Sequence, residues 1–270
     1  PEEPEKDVLN FLLHHGQLRR WQRDVLSIIR EEAYYFTPQG MTKIMNEGWA
    51  SYWHSNMMTR SILDASELID YADHHSGTLG SSPGVLNPYK VGIELFRDIK
   101  MRWDTGRHGK DWESCEDVHG KKDWDRDEDL GLKKIYEVRS THNDITFIDE
   151  FLTEEFCDQH KMFTYKFDRQ AGKYILDGRD FSSIKLAFLD QLSNCGRPRI
   201  QVQDGNYGNR GELLLKHIWS GTPLKLDYAS RTLENLYKLW GRPVFLETII
   251  EGKSKVLSFN GSAHDEKSSA

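Results

Sequence analysis

Glu47 and His54 are the two residues of this chain best placed to do chemistry. They stand seven positions apart in the run KIMNEGWASYWH, residues 43–54. Seven residues make two turns of an α-helix, so both side chains leave one face. Gly40, Ile44, Ser51 and Met58 lie along the same line, while Trp49, Tyr52 and Trp53 point elsewhere. A helix that is apolar round most of its circumference is a buried one. A carboxylate and an imidazole on such a helix need partners, because an unpaired buried charge is costly.

Two readings follow. In the first, Glu47 pairs with an arginine or a backbone amide and His54 is a satisfied core histidine. In the second, the two residues form a metal or acid–base site. Their Cα atoms would lie about 10 Å apart along the axis, which is long for two ligands of one ion. The site reading therefore divides the labour. Glu47 acts as metal ligand or general base, and His54 supports the metal or serves as the acid. Zinc is the first guess for the divalent metal, and the other ligands must come from elsewhere. Gly48, inside the helix, costs about 1 kcal/mol against alanine. It predicts a close approach by another backbone or by a ligand.

Other catalytic signatures are missing. The chain has no HExxH, no phosphate-binding loop and no Ser/His/Asp signature. GNYGNRG is glycine-rich but sits in an expected hairpin. His108, Cys115 and His119 fall in a charged stretch without a second ligand pair, and read as a solvated loop. Arg197, Arg199 and Arg210 read as solvated surface arginines, and Glu32 as a helix-end residue that reaches solvent.

The elements that must position Glu47 and His54 are mostly helical. DVLNFLLHH is a short helix. In LRRWQRDVLSIIREEAYYF, residues Leu18, Trp21, Val25, Ile28 and Ile29 recur at helical spacing. FTPQG is expected to end that helix, with Thr37 as a cap and Pro38 at the first position of the next. The next helix runs to about Arg60. SILDASELIDYADHH is a further helix, and residues 77–88 a loop. NPYKVGIELFRDIKMRW follows as a helix with Ile93, Phe96, Ile99, Met101 and Trp103 inward. Residues 104–130 are charged and aperiodic, a loop pinned by Trp112 and Trp124 if it is ordered. After about residue 162 strands alternate with helices. Strand, helix, strand, strand, helix, strand is the order of a ferredoxin-like βαββαβ unit. The fold class is thus α+β, with a helical domain over 1–162, a small ferredoxin-like domain over 163–262 and a polar tail over 263–270.

Composition bounds the rest. Eight Trp, eleven Tyr and twelve Phe in 270 residues are enough for a real core, which excludes wholesale disorder. The net charge of -7 argues against a general nucleic-acid binder. Cys115, Cys157 and Cys195 are odd in number and form no CxxC pair, so neither a disulfide framework nor a zinc ribbon is expected. No apolar run is long enough for a membrane span and no signal peptide is evident, which makes a cytoplasmic protein the expectation. The chain opens on Pro1 and reads as a piece of something longer.

The run WQRDVLSIIREEAYYFTPQGMTKIMNEGWASYWH resembles the signature of the SpoVR-like family, stage V sporulation protein R. NPYKVGIELFRDIKMRW, KIYEVRSTHNDITFIDEFLT and LYKLWGRPVFLE are similar to its later blocks. The resemblance implies a cytoplasmic bacterial protein linked to spore cortex formation, about twice this length, with a His- and Glu-rich upstream region. Its motif carries over onto Asn46, Glu47, Gly48, Trp49 and His54. NEGWA is also similar to the NEG-aromatic-A element of gluzincin aminopeptidases, which implies Glu47 as a zinc ligand completed by upstream histidines. Two functions remain open: a metal-dependent hydrolase, or a regulatory or scaffold protein that binds a protein partner.

Overall fold

The computed structural model describes residues 4–80, 86–168 and 173–268. In chain order its helices are α1 (Val8–His15), α2 (Arg20–Gly40), α3 (Lys43–Met57), α4 (Leu68–Thr78), α5 (Pro88–Thr105), α6 (Gly109–Glu113), α7 (Val118–Lys122), α8 (Gly131–Thr141), α9 (Asp144–Phe151) and α10 (Glu154–Gln159). Strands β1 (Thr164–Asp168) and β2 (Lys173–Gly178), helix α11 (Phe181–Leu192), and strands β3 (Ile200–Tyr207) and β4 (Glu212–His217) follow. Helix α12 (Leu226–Trp240) and strands β5 (Val244–Ile250), β6 (Lys253–Phe259) and β7 (His264–Ser268) complete the order. The fold is α+β, with helices dominating the N-terminal part and a five-stranded mixed sheet at the C-terminal end.

Two compact units divide the chain, Gln39–Ser193 and Pro1–Pro38 with Asn194–Ala270. The first is helical. Ile44 and Met45 of α3, Ile93, Phe96 and Ile99 of α5, Ile135 of α8 and Phe147 and Phe151 of α9 form one fully buried cluster. These are large apolar groups, and each contributes about 1.5–3 kcal/mol by leaving water. The inner face expected for α5 holds at Ile93, Phe96 and Ile99, but Met101 is exposed. Residues 104–130 are not a plain loop. They contain α6 and α7, and Trp112 meets Trp124 edge-on at 5.6 Å, while Trp124 Nε1 donates to the Gly106 carbonyl at 3.0 Å.

In the second unit the strands lie in sequence order, β3-β4-β5-β6-β7. Only β4 and β5 run parallel, joined through α12, and the other neighbours are antiparallel. Helices α1 and α12 supply the apolar cover. Phe11 and Leu12 join Val202, Leu213, Leu215, Leu233, Trp240, Val244 and Leu246 in one core. Phe11 stacks on Trp240 at 5.7 Å, and α12 ends at Gly241, whose φ of 77° is the left-handed conformation that glycine adopts freely.

Four expectations change. The βαββαβ sheet does not form: β1 and β2 pair only with each other, and α11 packs Ile184 into the helical core. Tyr165 and Leu176, paired across that hairpin, stay exposed and are not covered by the larger sheet. The unit boundaries fall at 38/39 and 193/194, not near 162, because α1 is needed to cover the sheet. The polar tail adds a strand, β7, whose backbone pairs with β6 although its side chains are exposed. Helix α2 runs through Pro38 to Gly40, and Thr37 Oγ1 donates back to the Ala33 carbonyl instead of capping. The hairpin turn expected at 170–172 lies outside the described residues.

Candidate functional site

Helix α3 begins without a cap of its own, since the Thr42 side chain makes no capping bond. Asp144 supplies one from the start of α9. Its carboxylate, 2% exposed, accepts from the backbone N–H of Ile44 at 2.8 Å and of Met45 at 2.9 Å. Burial raises the Asp144 pKa, and the backbone donors of Ile44, Met45 and Lys43 pull against that rise. A carboxylate at a helix N-terminus also faces the positive end of the helix dipole. The position of α3 is thus fixed from about 100 residues away in sequence.

From that start the four residues Asn46–Trp49 each engage a neighbouring helix. Asn46 Oδ1 accepts from Arg139 Nη2 of α8 at 2.7 Å, and its Nδ2 donates to Thr42 Oγ1 at 3.1 Å. Glu47, half-buried, lies against the Tyr89 hydroxyl in the first turn of α5, and its carboxylate raises the tyrosine pKa. Gly48 lies against Gly92 of α5. A Cβ at Gly48 would stand 2.4 Å from the Gly92 backbone, and one at Gly92 would stand 2.3 Å from the Ile44 carbonyl. Only glycine at both places allows this approach. Trp49 packs edge-on against Phe96 at 5.4 Å and Tyr136 at 5.1 Å. The close contact expected at Gly48 is therefore with a backbone.

His54 is exposed in the last turn of α3, so it is not a core histidine. The buried arc of the helix holds Ile44, Met45, Gly48, Ser51, Tyr52 and Ser55, and positions 47 and 54 border it. His54 Nδ1 lies 3.4 Å from the Tyr71 hydroxyl of α4. Tyr71 stacks on His75 at 5.4 Å and 16°. His75 Nε2 is buried with no hydrogen-bond partner, and burial, then Arg97 and His54, hold its pKa below the ordinary imidazole range. Arg97 itself donates to Ser55 Oγ at 3.2 Å and pairs with Glu94 at 2.9 Å.

Glu47 and His54 thus share a helix but face different tyrosines on different helices. Among the described residues, no three His, Cys, Asp or Glu side chains gather as a metal would require. Glu47 would offer a metal one carboxylate, set against the Tyr89 hydroxyl. His108 lies flat on Trp103 at 4.6 Å and 6°, with Nε2 3.3 Å from Glu128. Arg210 forms a two-point bond to Glu212 at 2.9 and 2.7 Å. Cys115, Cys157 and Cys195 are free thiols, and burial pushes Cys157 up to about 11. Two shallow, open hollows beside α1 and α2 are lined by neither Glu47 nor His54. Among the described residues, no helix is long and apolar enough to cross a membrane.

Sequence reasoning missed Asp144, Tyr89, Gly92 and Arg139. The Asn143–Thr146 capping box marks the start of α9, but nothing local marks Asp144 as the cap of another helix.

Residues 1–197 match the family described as SpoVR like protein, and residues 198–251 match the SpoVR-like C-terminal domain. The chain is similar to Uncharacterized protein YcgB of Escherichia coli strain K12, with 27% identity over 267 residues, covering 92% of this chain and 50% of the relative. It spans about half the length of that curated relative. No solved structure matches.

Proposed function

The chain belongs to the SpoVR-like family, and from that premise we propose that it is a non-catalytic assembly module acting in sporulation. One observation carries the reading: Asn46, Glu47, Gly48 and Trp49 are all committed to packing α3 against α5 and α8. A motif engaged in this way builds a rigid helical platform. Such a platform suits a protein that holds a partner rather than one that turns over a substrate. The family resemblance links the role to spore cortex formation, and we place it in the cytoplasm.

A metal-dependent hydrolase is the competing reading. It requires Glu47 to leave Tyr89 and join ligands from the rest of the longer protein. Elemental analysis of the longer protein, before and after Glu47→Gln, separates the two. Glutamine keeps an acceptor for Tyr89, so the assembly reading expects unchanged metal content and an unchanged fold. Stoichiometric metal that disappears with Glu47→Gln would overturn the assembly reading.

A further inference from the structure

Helix α2 is tied down on one side only. There Leu26 is buried, Arg30 pairs with Asp7 at 2.7 Å, and the Tyr34 hydroxyl donates to Asp7 at 2.9 Å. On the other side Trp21, Val25, Ile28, Ile29, Tyr35 and Phe36 are exposed, with Trp21 at 60%, Ile28 at 63% and Tyr35 at 69%. Positions 21, 25, 28, 32 and 35 alternate steps of four and three, the spacing of a helix-pairing seam. A contiguous stripe of large apolar side chains on a surface marks an interaction site.

The charges within the stripe indicate its occupant. Glu32 takes a seam position, with Asp24 and Glu31 along one flank; Arg20 borders that flank only in the first turn. Among the described residues Asp24 and Glu32 have no hydrogen-bond or ion-pair partner, and Glu31 meets only Ser27 Oγ at 3.5 Å. A second copy of this chain fits poorly. Parallel pairing would set Glu32 against Glu32, and antiparallel pairing would bring Asp24 and Glu31 of the two copies together. Like charges at seam and flank positions repel. The net charge of -7 adds to that repulsion.

We propose that the exposed face of α2 docks an amphipathic helix of a separate partner protein, one whose apolar stripe is flanked by lysine or arginine. Its apolar stripe covers Trp21, Ile28 and Tyr35, and its cations meet Glu32, Glu31 and Asp24. The partner class deepens the assembly reading and rests on it, but its test leaves Glu47 untouched, so either can fail alone.

The test uses two fluorescently labelled helical peptides, about 18 residues long. Both carry the same Leu/Ile stripe, flanked by Lys in one and by Glu in the other. Anisotropy titrations at about 0.15 M salt should show the lysine peptide binding at least about tenfold more tightly. Ile28→Asp should abolish that binding, with the circular dichroism unchanged because Ile28 is exposed. Glu32→Lys should narrow the difference between the peptides. Equal binding of both peptides, or binding of neither, would overturn the proposal. So would self-association in sedimentation that Ile28→Asp dissolves. Binding by this chain but not by the longer protein would show the face covered internally, and would equally refute a separate partner.

Discussion

Helices α3 and α2 are made of similar material and meet opposite fates. Both are rich in aromatic side chains with apolar residues at helical spacing. In α3 the stripe is buried and even its bordering polar groups have partners. In α2 a comparable stripe is exposed, and only Leu26 is buried. The difference includes an interior glycine. Gly48, against Gly92, lets α5 come close to α3, whereas α2 has no glycine before its last residue, Gly40. Periodicity sets a helix and its faces. A glycine lets another backbone close on the face.

Substitutions can break or sharpen that contrast. Gly48→Val should be among the most damaging. The atom it meets is Gly92 backbone, which has little room to give, so about 3 kcal/mol of stability should be lost, at the upper end of overpacking. Chemical denaturation measures it, and a loss under about 1 kcal/mol would mean that the two helices are not in contact. Next comes a matched pair. Ile44→Ala in α3 should cost about 2–5 kcal/mol, and Ile28→Ala in α2 no more than about 0.5 kcal/mol. Equal losses would show that α2 is covered, and would end the contrast.

A smaller effect is expected with pH. Burial, with Arg97 and His54 for His75 and with Arg199 for His217, holds both imidazoles below their ordinary value. His217 is also bonded to Thr248 at 2.9 Å. Unfolded histidines take up protons near pH 6.5 while these two resist. Their contribution to stability is full above about 6.5 and is lost as the pH falls through the folded values. Asp98 and Asp144, both raised mainly by burial, act with the opposite sign: their contribution is lost as the pH rises from the carboxylate range. The melting temperature should therefore drop between pH 7 and about pH 5.5. It should drop less in a His75→Gln variant. The same pH dependence in the wild type and in His75→Gln would contradict the burial of this histidine.

Much of this fold is legible locally. The β3–β4 hairpin, α12 with its terminal Gly241, and the β5–β6 turn at Gly252 all follow from turn residues and alternation. Sheet membership does not. The pattern of β1, β2 and α11 satisfies a ferredoxin-like order, yet Tyr165 and Leu176 remain exposed and Ile184 goes to the helical core. The role of α1 is invisible for the same reason, since its partner strand β3 lies almost 200 residues later. At the candidate site, Gly48 announces a close approach, but Gly92 as its partner does not show in the sequence. The face shared by Glu47 and His54 is legible, yet the hydroxyls of Tyr89 and Tyr71 that separate their roles are not. Long-range pairing of polar groups leaves no periodic trace.

Glu47 serves packing through its contact with Tyr89. A double-mutant cycle measures that contact, with Glu47→Ala, Tyr89→Phe and the pair compared by chemical unfolding. Each single change should destabilise by about 1 kcal/mol, with a coupling of about 0.5–1.5 kcal/mol between them. Strictly additive changes with no loss from either single variant would contradict the account, and would leave the Glu47 carboxylate free for chemistry.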